Sequence, residues 1–433
     1  MRYIYMNNFR GFTEALIPLK QTNFLVGENS TGKSSFLSLL SLVNKPVFWV
    51  NPAFAMREEL GLSSFGDMVS AWSEDQTCFQ VGVVAVKQEK SGKINLNFSI
   101  HEFVGQYDSP KLSRHFSLDN NKLTIVVFEK TGTKYKIADL KFAHKTCEQA
   151  IEEFGRIVVS IRGDRTKLKS FPKAIPPNSP LPIAISILQS LEKGDDGISA
   201  RNEFKIEIPM GMNVTWIAPI RTKPKRIYDG IQVGYSPEGE HAPMLLRKSL
   251  RSKAGSKTFS ERLKEFGDSS GLFQTVLAHS FGKGAKNPFE LLIQFKGAEL
   301  NISNVGYGVS QALPLIVEFL STDKRSVFAV QQPEVHLHPR AQAALGGLIF
   351  ELAKERKHSF FVETHSDYLI DRYRLSMRSE SGSPEAQMLF FMRTSKGNKV
   401  CALSISSTGQ YPSVQPNEFR DFFVREEMKL LDI

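Results

Sequence analysis

The chain has 433 residues, of which 41% are hydrophobic, 23% charged and 10% aromatic. That length and composition exclude a disordered, collagenous or disulfide-stapled chain and leave room for two to three domains with sizeable cores. The net charge is +10, and between Arg221 and Lys264 there are 11 Lys/Arg against 4 Asp/Glu, a surplus of +7. Such clustering fits either contact with a nucleic-acid backbone or a solvated face, and no interleaved aromatics decide between them. Cys78, Cys147 and Cys401 are too far apart in sequence for a pairwise metal or redox motif, which fits a reducing compartment. No run approaches the roughly 18 apolar residues of a membrane span. The start, Met1 to Met6, passes straight into Asn7-Asn8 without a signal-peptide core. A soluble, cytoplasmic protein without membrane contact is expected.

The first elements read as strand, turn, strand: Arg2 to Met6, then Asn8-Phe9-Arg10-Gly11-Phe12, then Glu14 to Leu19. A short apolar run, Asn23 to Val26, ends at a glycine. After it, Phe36, Leu37, Leu39, Leu40 and Val43 recur at helical spacing, so Gly27 to Lys33 forms a strand-to-helix turn. From about Thr77 to Phe128 the pattern is strand-like. A helix near Glu148 to Ile161, a proline cluster at 172–182 and a short helix from Ile183 to Glu192 lead to Gly194-Asp195-Asp196-Gly197. This middle region reads as an insertion bounded by Pro and Gly. The last third alternates strand (Val327 to Val330), Ala/Leu-rich helix (Arg340 to Lys357) and strand (Ser359 to Val362), which implies a parallel sheet.

Gly27-Glu28-Asn29-Ser30-Thr31-Gly32-Lys33-Ser34 fits G-x-x-x-x-G-K-[ST]. The glycines let backbone amides turn in around a phosphate, and the following helix points its positive end there. Lys33 would reach the β- and γ-phosphates and the Ser34 hydroxyl would ligate Mg²⁺. The strand-loop-helix context favours nucleotide binding over a plain Gly-rich turn.

Asn8-Phe9-Arg10-Gly11-Phe12 followed by Val26 to Ser35 resembles the ABC-type ATPase heads of RecF, SMC and Rad50 proteins. Val305-Gly306-Tyr307-Gly308-Val309-Ser310-Gln311, then Gln332-Pro333-Glu334-Val335-His336-Leu337-His338-Pro339, then Glu363-Thr364-His365-Ser366-Asp367 resemble the OLD-like branch. Trp216 to Arg221 with Pro224 does too, while residues 90–205 are unmatched. The resemblance implies an α/β fold, a P-loop ABC-ATPase head with two lobes, one mixed or antiparallel β and one with a parallel sheet, plus a smaller α+β insertion. The implied division is 1–110 for the first part of the head, 111–205 for the insertion and 206–433 for the second part.

It also implies roles. ATP and Mg²⁺ would be sandwiched in a head-to-tail homodimer or higher homo-oligomer, at Gly27, Asn29, Ser30, Thr31, Gly32, Lys33, Ser34 and Ser35. Arg10 would approach the nucleotide, Gly308 and Ser310 would face it across the dimer, and His365 would sense the γ-phosphate. His336 and His338 would shape the dimer-facing loop rather than bind metal. Related heads carry acids after the Val327 to Val330 strand, one near Mg²⁺ and one polarising the attacking water. This chain has Gln331-Gln332-Pro333-Glu334. Gln331, at the catalytic and metal-facing position, is a neutral near-isostere of Glu and implies weak hydrolysis or a substitution that traps ATP. Glu334 is the nearest remaining carboxylate. The 68 residues after His365 are too few for a Toprim nuclease domain, and no long heptad run or C-x-x-C hook is present. The chain is therefore similar to stand-alone ATPase subunits of bacterial anti-phage systems such as Septu, PARIS and retron-linked modules, in which the partner is a separate nuclease effector. A RecF-like DNA-binding ATPase using residues 221–264, and an ATP-binding scaffold with little turnover, are the alternatives.

Overall fold

The structure, a computed structural model, describes residues 1–60, 64–106, 109–142, 144–163, 167–173, 175, 180–192, 214–231, 233–251, 256–284, 286–322 and 324–419. In chain order come β1 (Arg2–Phe9), β2 (Phe12–Leu19), β3 (Thr22–Gly27), α1 (Lys33–Val43), α2 (Pro46–Val50), α3 (Pro52–Leu60), β4 (Cys78–Gln88), β5 (Ile94–Gln106), β6 (Ser109–Asp119), β7 (Lys122–Glu129), β8 (Gly132–Asp139), α4 (Cys147–Gly163), β9 (Lys169–Ser170) and α5 (Leu181–Glu192). After them come β10 (Val214–Ile217), α6 (Ala242–Arg251), α7 (Ser256–Ser270), β11 (Thr275–Ser280), β12 (Phe289–Phe295), β13 (Ala298–Asn301), α8 (Tyr307–Ser321), β14 (Val327–Gln331), α9 (Pro339–Glu355), β15 (Ser359–Glu363), α10 (Asp367–Ser379), β16 (Ala386–Thr394) and β17 (Gly397–Ile405). None of the described helices is long and apolar enough to cross a membrane.

Two compact units divide the chain. The described residues of 1–19, 28–213 and 391–400 form the first, and those of 20–27, 214–390 and 401–433 the second.

The first unit is built on an eight-stranded sheet in the order β2-β1-β4-β5-β6-β7-β8-β9, with every pair antiparallel. Alternating side chains of β4 to β7 face α4, whose Ala150, Phe154, Ile157, Val158 and Ile161 are buried against Val84, Leu96, Phe98, Phe116 and Ile125. The helices expected near Glu148 to Ile161 and Ile183 to Glu192 are α4 and α5. Residues 110 and 111 both lie within β6, and β6 to β8 extend the same sheet as β1 and β4. Gly194-Asp195-Asp196-Gly197 lies outside the described residues.

Several polar groups buried in this sheet are paired, although His101 Nε2 and Ser117 Oγ have no hydrogen-bond partner among the described residues. Arg114 grips Glu102 with two hydrogen bonds of 2.6 and 2.7 Å, and Gln80 donates to the same carboxylate at 2.8 Å. His101 and His115 face each other at 3.2 Å between Nδ1 atoms, beside Phe48, Trp49 and Phe103. Burial pushes His115 down to about 3 and His101 well below its ordinary value, so both rings are neutral.

The second unit holds a six-stranded sheet in the order β10-β14-β15-β3-β16-β17. Its pairs β10·β14, β14·β15 and β15·β3 are parallel. Every residue of β3 and β15 is buried, as expected for strands covered on both faces. The rings of Phe328 and Phe360 stack across β14 and β15 with centroids 5.4 Å apart, and Phe319 of α8 meets Phe328 edge-on at 4.9 Å. The helix α8 carries Pro314 in its interior. A small antiparallel sheet, β11-β12-β13, completes this unit. The α/β fold class expected from the sequence is observed: an antiparallel β lobe, and a parallel sheet whose strand β3 leads into the glycine-rich loop.

Candidate functional site

The loop between β3 and α1 turns through backbone conformations that favour glycine or a small polar residue: φ is 134° at Gly27, 61° at Ser30 and 98° at Gly32. At Gly32 a Cβ would lie 2.5 Å from the Phe12 ring, so packing as well as φ demands glycine. The turn is closed internally, with the Thr31 hydroxyl and the Lys33 ammonium each donating to the Glu28 carbonyl at 2.8 Å. Lys33 is 4% exposed, whereas Glu28, Asn29, Ser30 and Ser34 are exposed. No acidic side chain occupies the first turn of α1, so the positive end of that helix is not neutralised from within.

Two guanidinium groups brace this loop. Arg10, itself at φ 51°, donates to Ser35 Oγ at 3.0 Å. Burial lowers its pKa against the opposing charge of Asp67. Arg393 donates to the Ser30 carbonyl at 2.9 Å. Sequence reading overlooked Arg393, because it lies 363 positions from Ser30 and no motif flags it.

In the second unit, the carboxyl ends of adjacent parallel strands bring the other candidates together. Gln331 of β14 sits beside Glu363 of β15, and Glu363 is level with Leu25 of β3, two residues before Gly27. The Gln331 amide donates to Glu363 Oε2 at 3.0 Å, and the Gln332 backbone N–H donates to the Glu363 carbonyl at 2.7 Å. Gln332 adopts φ 41°, which turns the chain sharply after β14. Glu363 is 6% exposed. It belongs to the motif that carries His365, but its role depends on strand register, which the sequence does not display.

Glu334 ties the turn after β14 to the turn after β15. One carboxylate oxygen accepts from the Thr364 hydroxyl at 2.8 Å and the other from the His365 backbone N–H at 2.7 Å. The His365 ring is exposed, while Thr364 is anchored by its N–H to the Leu25 carbonyl at 3.1 Å. Ser366 caps α10 by accepting from the Leu369 N–H at 3.1 Å.

The start of α8 packs on the same turn. At Gly308 a Cβ would lie 3.0 Å from the His336 carbonyl, so glycine permits this backbone approach. Ser310 is 4% exposed, and its hydroxyl donates to the Tyr307 carbonyl at 3.1 Å. Tyr307 is the exposed side chain of that turn, with its ring 5.6 Å from that of His336. His338 acts as the N-cap of α9, accepting from the Ala341 N–H. Among the described residues, no group of three or more His, Cys, Asp or Glu could hold a metal ion.

The basic stretch is partly structural. Arg221 is buried, with its backbone N–H and Nη1 on Gln311 at 3.2 Å each. Burial lowers its pKa to about 10, against the opposing charge of Glu334. Arg247 is buried with its guanidinium 4.6 Å from the Phe289 ring centroid, Arg251 holds Ser280, and Arg262 pairs with Glu355. Lys223, Lys225, Arg226, Lys248 and Lys264 are exposed.

Two family models match parts of the chain. Residues 1–178 match the family model described as an AAA ATPase domain. Residues 247–371 match the one described as "AAA domain, putative AbiEii toxin, Type IV TA system". Residues 1–178 and 247–371 are thus each similar to AAA ATPase domains. No curated protein matches. Among solved structures, the SMC head bound to the C-winged helix domain of ScpA is 13% identical, covering 93% of this chain and 98% of that one, with a TM-score of 0.45. The SMC head domain from Thermotoga maritima is 13% identical with the same coverages and a TM-score of 0.39. An SMC head with an extended coiled coil, bound to the C-terminal domain of ScpA derived from Pyrococcus furiosus, is 12% identical. It covers 100% of this chain and 99% of that one, with a TM-score of 0.41.

Proposed function

We propose that the chain is an ABC-type ATPase that hydrolyses ATP and, as a homodimer or higher homo-oligomer, regulates a separate nuclease effector in bacterial anti-phage defence. The observation that carries the ATPase reading is the glycine-rich turn leading from a parallel strand into α1, with Lys33 held in the turn by the Glu28 carbonyl. The family description naming a putative AbiEii toxin supports a defence role.

In this reading the backbone amides from Gly27 to Ser35 and the Lys33 ammonium hold the triphosphate. Arg10 supports the loop through Ser35. The residues suit Mg²⁺, a hard cation that takes oxygen donors and needs only one or two protein ligands when the substrate supplies phosphates. In this reading the Ser34 hydroxyl would be the protein ligand, and Gln331 is the other residue assigned to the ion. When bound, Mg²⁺ neutralises the charge developing on the phosphates. His365 senses the γ-phosphate, and its backbone is held by Glu334. Gly308 and Ser310 address the nucleotide of a second copy, which requires the Ser310 hydroxyl to leave the Tyr307 carbonyl.

Phosphate release from purified protein with ATP and Mg²⁺ tests the activity, with Lys33→Ala as the blank. Turnover in the wild type that Lys33→Ala removes is expected; equal rates in both end the ATPase reading. Gln331→Glu is expected to raise turnover, and an unchanged rate removes Gln331 as the reason for slow hydrolysis. The regulatory role is tested by co-purification with the products of neighbouring genes. A stoichiometric nuclease is expected. The second reading, a DNA-binding ATPase, draws on the exposed Lys223, Lys225, Arg226, Lys248 and Lys264. Duplex DNA binding that falls steeply with salt, without a protein partner, selects it.

A further inference from the structure

We infer that Arg221 is a positioning residue for ATP turnover, tying the turn of α8 that carries Ser310 to Glu334 and, through Glu334, to the backbone of His365. The inference rests on the ATPase reading above, and every residue in it lies in the second unit. There β10 and β14 run parallel, with Ile217 level with Val330. Arg221 and Glu334 each follow four residues beyond that pair, so register sets both at the same end of the sheet.

Arg221 holds α8 by three hydrogen bonds, all to the residue that follows Ser310. Its backbone N–H donates to Gln311 Oε1 at 3.2 Å, its carbonyl accepts from Gln311 Nε2 at 3.3 Å, and its Nη1 donates to the Gln311 carbonyl at 3.2 Å. The rest of the guanidinium is unspent. Nε and Nη2 are buried and have no hydrogen-bond partner among the described residues. Burial lowers the pKa to about 10, which leaves the group charged at neutral pH, and Glu334 is the carboxylate whose charge opposes that shift. A buried cation with two unmade bonds is a poor way to stabilise a fold, since an apolar side chain of similar length fills the space without desolvating a charge. What the charge supplies is a hold on Glu334, and Glu334 accepts from the Thr364 hydroxyl at 2.8 Å and the His365 N–H at 2.7 Å. In the ATPase reading, Arg221 thus links the residue that addresses a second copy's nucleotide to the one that senses the γ-phosphate.

Arg221→Met keeps an apolar stem and removes the charge, and its melting temperature reports whether it folds. The expected result is a fall of at least about tenfold in kcat, with KM for ATP within about twofold of wild type. Arg221→Lys restores the charge without the fork and is expected to recover part of the rate. Glu334→Gln should lower kcat to a similar extent, and the Arg221→Met, Glu334→Gln double variant should be no slower than the slower single, because both act on one turn. A double variant whose loss is the product of the two single losses overturns the inference, as does a folded Arg221→Met protein with wild-type kcat. If Arg221→Met fails to fold, a slow Arg221→Lys with normal KM supports the inference, and wild-type kcat in Arg221→Lys overturns it. A wild type that never cleaves ATP ends the ATPase reading instead. The same cycle read by chemical denaturation then tests the coupling of Arg221 to Glu334, and strictly additive losses of stability overturn it.

Discussion

The loop from Gly27 to Ser35 and the strand ends around Gln331, Glu334 and Glu363 are built on opposite principles. The loop is nearly self-sufficient. Its glycines supply the turns, and Thr31 and Lys33 close it on the Glu28 carbonyl only three and five residues away. The strand ends are assembled from segments some 30 residues apart, through the pair Gln331 to Glu363 and the grip of Glu334 on Thr364 and His365. A short contiguous structure announces itself as a motif. An assembled one owes its chemistry to register.

Four changes probe that contrast. Lys33→Ala removes a charge-assisted contact to the phosphates from the local element and is expected to lower ATP affinity about 100-fold. Isothermal calorimetry checks this, with a melting curve to confirm that the variant folds. Glu334→Ala leaves the Thr364 hydroxyl and His365 N–H without their acceptor, at a cost of about 2–3 kcal/mol in stability. Chemical denaturation measures it, and slowed turnover with near-normal ATP affinity should accompany it. If Glu334→Ala instead costs nothing in stability, the strand ends are not held by that grip.

The third probe is acid. His101 and His115 are neutral when folded, with His115 down at about 3, while the unfolded chain takes up protons at an ordinary histidine value near 6.5. The unfolded state thus binds more protons between about pH 6.5 and 3, so stability is complete above that window and falls as pH drops through it. At pH 5.5 the loss is about 1.4 kcal/mol per histidine. Denaturation at pH 7.5 and 5.5 reads the difference, and a His101→Phe, His115→Leu double variant should flatten it. The smallest effect is expected for Arg393→Ala, an exposed residue that gives one bond to Ser30. Its loss should weaken ATP binding by no more than about fivefold.

Much of the scaffold was legible in the sequence because periodicity reports it. The hairpin around Arg10, the helices from Lys33, Pro339 and Cys147, and the strands ending at Gln331 and Glu363 all lie within a few residues of their expected places. Charge was read less well. The surplus between Arg221 and Lys264 looked like a surface, yet Arg221 and Arg247 are buried and Arg262 is spent on Glu355. Composition counts charges without knowing which ones folding consumes. The pairing of Glu363 with Gln331 and of Arg393 with Ser30 stayed out of sight for a related reason, since each forms only when distant segments are brought side by side.

Pro314 gives α8 a mechanical character of its own. It has no N–H to offer the carbonyl of Ser310, four residues before it, so the helical ladder skips a rung directly beneath the turn that carries Gly308 and Ser310. Bending the rod there sacrifices no bond at that rung, whereas bending it anywhere else in its interior would. The first turn of α8 can therefore tilt without breaking a backbone hydrogen bond at that rung, while Phe319, further along the helix, packs edge-on against Phe328.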